Sequence, residues 1–416
     1  MRCILKRDIN RKFTGNRVGL YTVLLVPLLL APLCRAADTI AVIPLFNLNE
    51  AKSPNLDWIG ESVAETVHES LSSVGVLVLD REDREEVYRR LTLRTGVVLT
   101  RASVIKIGQA LDAGQIIFGE FHVDGAELGQ TNGKSKLTLT ARIVDLRHFS
   151  SGETFSQEGP LETLSQMETK LAWMVARQIS PEGTPSEEAF FRDRPPVKVE
   201  AVESYIRGLI STNDDQKTKF FTQAVKLDDQ YSAPNFQLGR MAFLRKDYKP
   251  AAQWLMKVSK GDSHYLEAAF LRGICLYQAG DFDSAANLFR MVSAEVPLNE
   301  VFNNLGAALS RKNDPAAGEN FSKALEGDGA DPDYWFNVGY SLWKQGQFAL
   351  AAEKFRAVLD RSPGDQEATS MLGRCIKMDG PRAGDSRSEG RERIKTAFED
   401  SAYRQLKAEL RTKQSQ

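Results

Sequence analysis

Two hydrophobic periods divide this chain, and the change from one to the other falls near residue 200. Before it, "TIAVIPLF" (39–46) is a nearly continuous apolar run, the pattern of a strand buried on both faces. Ile59, Val63, Val67 and Leu71 then recur every four residues, which predicts a helix over "LDWIGESVAETVHESLSSVG". "VLVLD" (76–80) reads as a strand, and "REDREEVYRRL" (81–91) and "RASVIKIGQALD" (101–112) read as helices. "GQIIFGEFHVDG", "SKLTLTARIVDL" and "ETFSQEG" follow as three strands, and "LETLSQMETKLAWMVARQI" (161–179) as a closing helix. Strands alternating with helices and ending in a meander indicate an α/β fold with a mixed sheet. Residues 181–200, rich in Pro and charge, predict a linker, and from 201 onward the pattern is helical only.

The helical half repeats itself. "FQLGRMAF" at Gly239, "FLRGICLY" at Gly273, "NNLGAALS" at Gly306, "FNVGYSLW" at Gly339 and "SMLGRCIK" at Gly373 align at spacings of 34, 33, 33 and 34 residues. A degenerate copy precedes them at "SYIRGLI", with Gly208, Phe221 and Ala224. In the best copy Gly339 and Ala351 let two helices approach, Trp335 and Phe355 plug the gap towards neighbouring units, and Pro363 marks the stop. The copy around Gly306 departs from the pattern, with Pro315 between its helices and one residue missing. A single hairpin of this size cannot bury its apolar face, so neighbouring hairpins must cover it.

Trp335, Val338, Gly339, Leu342, Ala351, Phe355 and Pro363 resemble the tetratricopeptide pattern, and the resemblance covers residues 201–380. It implies a right-handed array of helical hairpins whose first helices line a concave face. Projected onto this sequence, the lining positions are Phe236, Arg240 and Phe243, then Phe270, Ile274 and Tyr277. Asn303, Ala307 and Ser310 follow, then Phe336, Tyr340 and Trp343, and finally Arg374 and Lys377. Aromatics with a few cations suit a peptide or helix laid in the groove, although the same rings could simply pack between helices. The Lys/Asn arrangement that clamps carboxylate tails in chaperone-binding members is not visible here.

The amino-terminal order "IAVIPLFNL", "DWIGESVAETVHESL", "VLVLDRED", "IGQALDAGQIIFGEF" and "LTLTARIVDLRHFSSGETF" is similar to the amino-terminal domain of the TolB translocation protein. It also resembles the related curli-secretion and FlgO-type envelope proteins, over residues 38–180. That resemblance implies an assembly or interaction role in a bacterial envelope and no catalysis. "VDGAELGQTNGKSK" lengthens one hairpin beyond the usual form. The fold class is therefore α/β plus all-α, a small mixed-sheet domain followed by a helical-hairpin solenoid. The expected division is 1–36 signal peptide, 37–180 α/β domain, 181–200 linker, 201–380 repeats, and 381–416 polar linker with a carboxy-terminal helix. In that last helix Ile394, Phe398, Ala402, Leu406 and Leu410 form one stripe, expected to pack back on the body.

Charge adds an export signal to this picture. The chain has a net charge of −1, but residues 1–36 carry Arg2, Lys6, Arg7, Arg11, Lys12, Arg17 and Arg35 against Asp8 alone. The remainder is acidic, which argues against nucleic-acid binding. The basic segment precedes the apolar run 18–33, and Cys34 and Ala36 offer small residues for cleavage. Cleavage after Ala36 gives a periplasmic or envelope-associated protein; an uncleaved run would anchor it to the inner membrane. Lipidation at Cys34 is disfavoured by the bulky Leu33 before it. Cys275 and Cys375 sit at equivalent positions three repeats apart, beyond disulfide reach, and are expected as buried thiols.

Signatures of chemistry are missing. "GQTNGKS" (129–135) has Leu128 where a phosphate loop needs its first glycine, and Asn132-Gly133 is a hairpin turn signal. His68, His122, His148 and His264 show no metal-ligand spacing with one another or with cysteine. No cofactor, metal or catalytic residue is expected. The leading expectation is a non-enzymatic scaffold of the cell envelope whose partners are proteins or peptides. The alternatives are a self-assembling structural or secretion component built through the α/β domain, and a ligand-binding sensor or hydrolase.

Overall fold

A computed structural model describes residues 39–49, 56–93, 98–124, 135–148, 150–382, 384–385 and 387–414. The expected export signal lies outside them, as do the tip of the long hairpin and its Asn132-Gly133 turn. The first apolar run forms two short strands, β1 (Ile40–Val42) and β2 (Phe46–Asn47), rather than one. Both run parallel to β3 (Gln115–Asp124), with Val42 opposite Ile117 and Phe46 opposite Glu120. One extra residue is thus accommodated around Pro44, which has no N–H to give to a ladder. Leu45 turns its N–H to the carbonyl of Gly60 instead (3.3 Å). A Cβ at Gly60 would stand 2.1 Å from the Leu45 carbonyl oxygen, so this approach requires glycine.

Antiparallel β4 (Lys136–Asp145) and β5 (Ser150–Pro160) complete a five-stranded mixed sheet in the order β1-β3-β4-β5, with β2 also on β3. A strand therefore follows the "GQTNGKS" segment, where a phosphate loop would need a helix. "VLVLD" contributes only a bridge, Val78 to Ile40, instead of the expected strand. Helices α1 (Trp58–Ser73) and α4 (Leu164–Ile179) cover one face of the sheet over Ile40, Val42, Ile117 and Leu139. Helices α2 (Arg81–Arg90) and α3 (Arg101–Ala110) cover Ala41, Ile43, Ile116 and Val144 on the other. Alternate residues of one apolar run thus face two cores, as its unbroken hydrophobicity predicted.

The expected linker carries helix α5 (Glu187–Arg192), whose Phe190 is fully buried with the Arg194 guanidinium 3.8 Å above its ring. Five hairpins follow: α6 (Val199–Ile210) with α7 (Asp214–Leu227), and α8 (Ala233–Leu244) with α9 (Tyr248–Leu255). Next are α10 (Tyr265–Gln278) with α11 (Phe282–Glu295), and α12 (Asn299–Arg311) with α13 (Ala317–Gly327). The last is α14 (Pro332–Lys344) with α15 (Phe348–Arg361), after which α16 (Gln366–Ile376) stands without a second helix. Tyr205 and Ile206 of α6 and Phe221 of α7 share the apolar core of α1 and α4, so sheet and repeats are joined by continuous packing.

The repeated glycines of the five complete hairpins do what their spacing implied, while Gly373 of α16 meets nothing. A Cβ at Gly273 would sit 2.7 Å from the ring of Phe289, and Gly208, Gly239, Gly306 and Gly339 are similarly pressed by the second helix of their hairpins. The turn glycine Gly346, between α14 and α15, has φ +75°, a left-handed conformation that other residues adopt at a cost. Cys275 and Cys375 are buried free thiols. Burial pushes their pKa up, to about 12 and about 11. Among the described residues no helix is long and apolar enough to cross a membrane.

Candidate protein-binding groove

The first helices of the repeats, α10, α12, α14 and α16, share one inner face, and the chain's own carboxy-terminal segment lies across it. That segment is irregular over residues 391–399, with a bend at 396–397, and becomes helical only at α17 (Asp400–Gln414). The stripe expected to be helical from Ile394 is thus helical only from its third member. Ile394 and Phe398 belong to the irregular stretch and still pack on the repeat core, beside Ala402 and Leu406 of α17. An apolar residue at every fourth position suits a helix, but here backbone contacts to the groove win over helix propensity.

Each hydrogen bond along the face has a repeat-derived donor or acceptor. Trp343 Nε1 donates to the Asp379 carbonyl (2.8 Å), and the Tyr340 hydroxyl donates to the Ser388 carbonyl (2.8 Å). Asn337 accepts from the Arg393 N–H and donates to the Arg393 carbonyl (2.8 and 2.7 Å). One repeat back, Asn304 does the same to Lys395 (2.8 Å each). Asn303 reinforces the first clamp, donating to the Arg393 carbonyl and accepting from Asn337. One repeat further back, Phe398 packs against Phe270 with centroids 4.2 Å apart and the rings tilted by 32°. The segment therefore runs against the order of the repeats.

Asn304 and Asn337 each stand two residues before the repeat glycine, so the repeat itself places them one repeat apart on the same face. A primary amide presents a donor and an acceptor side by side, as a neighbouring β-strand would, and can therefore hold any residue's backbone. Because they grip residues 393 and 395, the side chains of Arg393 and Lys395 project to the same side. There the acids of α14 and α16 meet them. Asp365 takes the Arg393 guanidinium through both oxygens (2.8 and 2.9 Å), with Asp333 at 3.2 Å and Glu367 at 3.3 Å. The guanidinium carbon lies 3.8 Å above the Phe336 ring. Lys395 Nζ reaches Asp331 at 2.6 Å and Asp333 at 2.7 Å. Burial alone would raise the pKa of Asp365, but hydrogen bonding and charge from Arg393 hold it below the usual carboxylate range.

The positions projected from the sequence divide into three groups. Phe270, Asn303, Phe336, Tyr340 and Trp343 are on the inner face and are buried there beneath the tail. Ser310 joins them, donating to Glu392 (2.6 Å), and Arg374 pairs with Asp385 (3.1 Å). Tyr277 is buried against Phe282. Phe236 and Phe243 pack among the helices, Phe236 on His264 and Phe243 on Tyr248. Arg240 and Lys377 are exposed. Asn304, Asn337, Asp333, Asp365 and Glu367 were not among the projected positions. The signal for the two asparagines was present in "NNLG" and "FNVG"; the acids at the helix starts look like ordinary capping residues.

Elsewhere, His264 and Asp262 pair in the turn between α9 and α10. Burial would lower the histidine, but the Asp262 carboxylate raises it to about 9. His68 lies 3.5 Å from Asp80, which also pairs with Arg404 of α17. Among the described residues, no group of His, Cys, Asp and Glu is arranged to hold a metal ion.

Two family models, both described as tetratricopeptide repeat, match residues 267–298 and 303–375. No curated protein matches. Solved structures that resemble the chain include YrrB, "a TPR protein with an unusual peptide-binding site", at 20% identity and a TM-score of 0.34, covering 41% of this chain and 87% of that one. A MamA structure is 18% identical with a TM-score of 0.33, covering 35% and 81%. MamA from Desulfovibrio magneticus RS-1 is 19% identical with a TM-score of 0.34, covering 36% and 87%. The helical hairpins within residues 267–375 are tetratricopeptide repeats.

Proposed function

We propose that this chain is an exported, non-enzymatic adaptor of the bacterial cell envelope that holds partner proteins along the inner face of its repeats. The observation that carries the reading is the pair of amide clamps, Asn304 and Asn337, which hold an extended backbone by both its N–H and its C=O. Such clamps recognise a polypeptide as such, whatever its side chains, and the flanking acids and rings add preference. The α/β domain shares its core with the first hairpin of the repeats, and a chain that joins such a domain to this groove suits a protein that connects components. Export rests on the basic and apolar pattern of residues 1–36.

The experiment is cross-linking in intact cells, followed by affinity purification of the tagged full-length chain and of its Asn304→Ala/Asn337→Ala form. Adaptor function requires partners that the unaltered chain recovers and the double variant loses. Recovery of the chain alone, or an identical partner set from both forms, overturns it. Amino-terminal sequencing of the secreted fraction should begin at Ala37; intact Met1 in that fraction contradicts cleavage.

A further inference from the structure

We infer that the tail is an internal ligand, and that the partner of the groove is an extended segment with the same pattern: cation, any residue, cation, two residues, aromatic. This inference rests on the reading of the groove as a protein-binding site and names what it selects. In the chain itself the pattern is Arg393, Lys395 and Phe398. Three features of the inner face match it and would go unused by a segment of other composition. The acidic cluster of Asp331, Asp333, Asp365 and Glu367 spans two repeats and is answered chiefly by Arg393 and Lys395, with Arg391 adding a longer contact to Glu367 (3.4 Å). Phe336 offers its ring face to the first cation, and Phe270 offers its ring to the aromatic.

Two properties mark the tail as an occupant rather than a further layer of the fold. Its backbone is fixed by side chains of the repeats, at Ser388, Arg393 and Lys395, the mode in which a groove holds a separate peptide. The side chains of Arg393 and Lys395 are half-buried and held by ion pairs, which a second segment of the same pattern can replace one for one. An incoming segment then competes with an intramolecular one. The tail's high effective concentration admits only partners that match the pattern closely. Displacement would also draw α17 from the repeat core and part Arg404 from Asp80, at the start of α2.

The test uses the full-length chain and a fluorescein-labelled peptide with the sequence of residues 387–399. Fluorescence anisotropy compares the unaltered chain with Arg393→Glu/Lys395→Glu, which turns two attractions into repulsions while leaving every groove residue in place. The variant should bind the peptide at least tenfold more tightly than the unaltered chain, and a peptide carrying the same two reversals should bind neither. Hydrogen exchange at residues 391–398 should accelerate in the variant. Equal or absent binding to both forms overturns the inference, and so does a tail that exchanges no faster after charge reversal. Should the variant fail to fold, the unaltered chain decides: excess unlabelled peptide must speed exchange at 391–398 in a saturable way, and no acceleration overturns the inference. Cellular partners that the peptide fails to compete away would remove the pattern and leave the adaptor reading intact. Peptide binding with no cellular partner would do the reverse.

Discussion

The seams inside the hairpins and the inner face of the repeats are equally buried, yet they are built on opposite rules. In a seam, glycine meets an apolar side chain, Gly273 against Phe289 or Gly306 against Phe321, and nothing polar needs a partner. On the inner face, Asn303, Asn304 and Asn337 are fully buried, and every amide is matched to backbone or to another amide. A seam is satisfied by shape and therefore tolerates only one occupant, its own second helix. The inner face is satisfied by hydrogen bonds to a main chain, which any polypeptide can supply. The difference teaches that burial alone does not separate scaffold from site; the chemistry that compensates the burial does.

The seam between α1 and α4 breaks this division, and the largest expected effect lies there. Glu168 is buried against Ser62 and Thr66, with Oε1 unpartnered among the described residues. Burial pushes its pKa from 4.5 up to about 8, opposed by hydrogen bonds from Ser62 and Thr66. The folded chain therefore keeps a proton that the unfolded chain has released. Stability from this group is full below pH 4.5, declines as pH rises towards 8, and is flat beyond. Glu168→Gln removes the titration. Chemical denaturation of the two forms across this range should show the unaltered chain losing stability relative to the variant, by on the order of a few kcal/mol. Parallel curves would show that the carboxyl is solvated in the folded state.

Gly273→Ala tests the seam rule directly. Its new methyl would overlap the buried Phe289 ring, and α10 would have to part from α11. The expected loss is about 2–3 kcal/mol, read as a lower thermal unfolding midpoint. An unchanged midpoint would mean that the seam is softer than close packing allows.

These contrasts also explain what could be read from the sequence. The seams repeat with a fixed spacing and leave an apolar signature at each copy, so the hairpins, their order and the role of Gly273 and Phe289 were legible. The two-sided strand was legible as an unbroken apolar run, but its division at Pro44 depended on the partner β3. The inner face was legible only as a set of positions. Phe336, Tyr340 and Trp343 fell on that face as projected, but nothing in their own spacing says that Asp379, Ser388 and Arg393 lie over them. That contact joins segments tens of residues apart through backbone atoms, which carry no side-chain signature. The same blindness made Ile394 and Phe398 look helical.

Asn337→Ala sharpens the other half of the comparison. It strips the Arg393 N–H of its acceptor and leaves the Asn303 amide with a lost partner. A loss of about 1–2 kcal/mol is expected, concentrated in the tail. Hydrogen exchange at 391–398 should rise well before the hairpins show any change. Uniform exchange across repeats and tail would place Asn337 in the scaffold instead.

The smallest effect has the opposite sign and comes from the same repeat position as Gly273. Gly373 holds the eighth place of the last unit, but α16 has no second helix, and a Cβ there would meet nothing within 4 Å. The steric reason for glycine is therefore gone while its conformational cost remains. Alanine in a helix interior is favoured over glycine by about 1 kcal/mol. Gly373→Ala should accordingly raise the unfolding midpoint by a few degrees, where Gly273→Ala lowers it. A loss of stability at 373 would mean that another surface packs on α16, in the place its missing second helix would have taken.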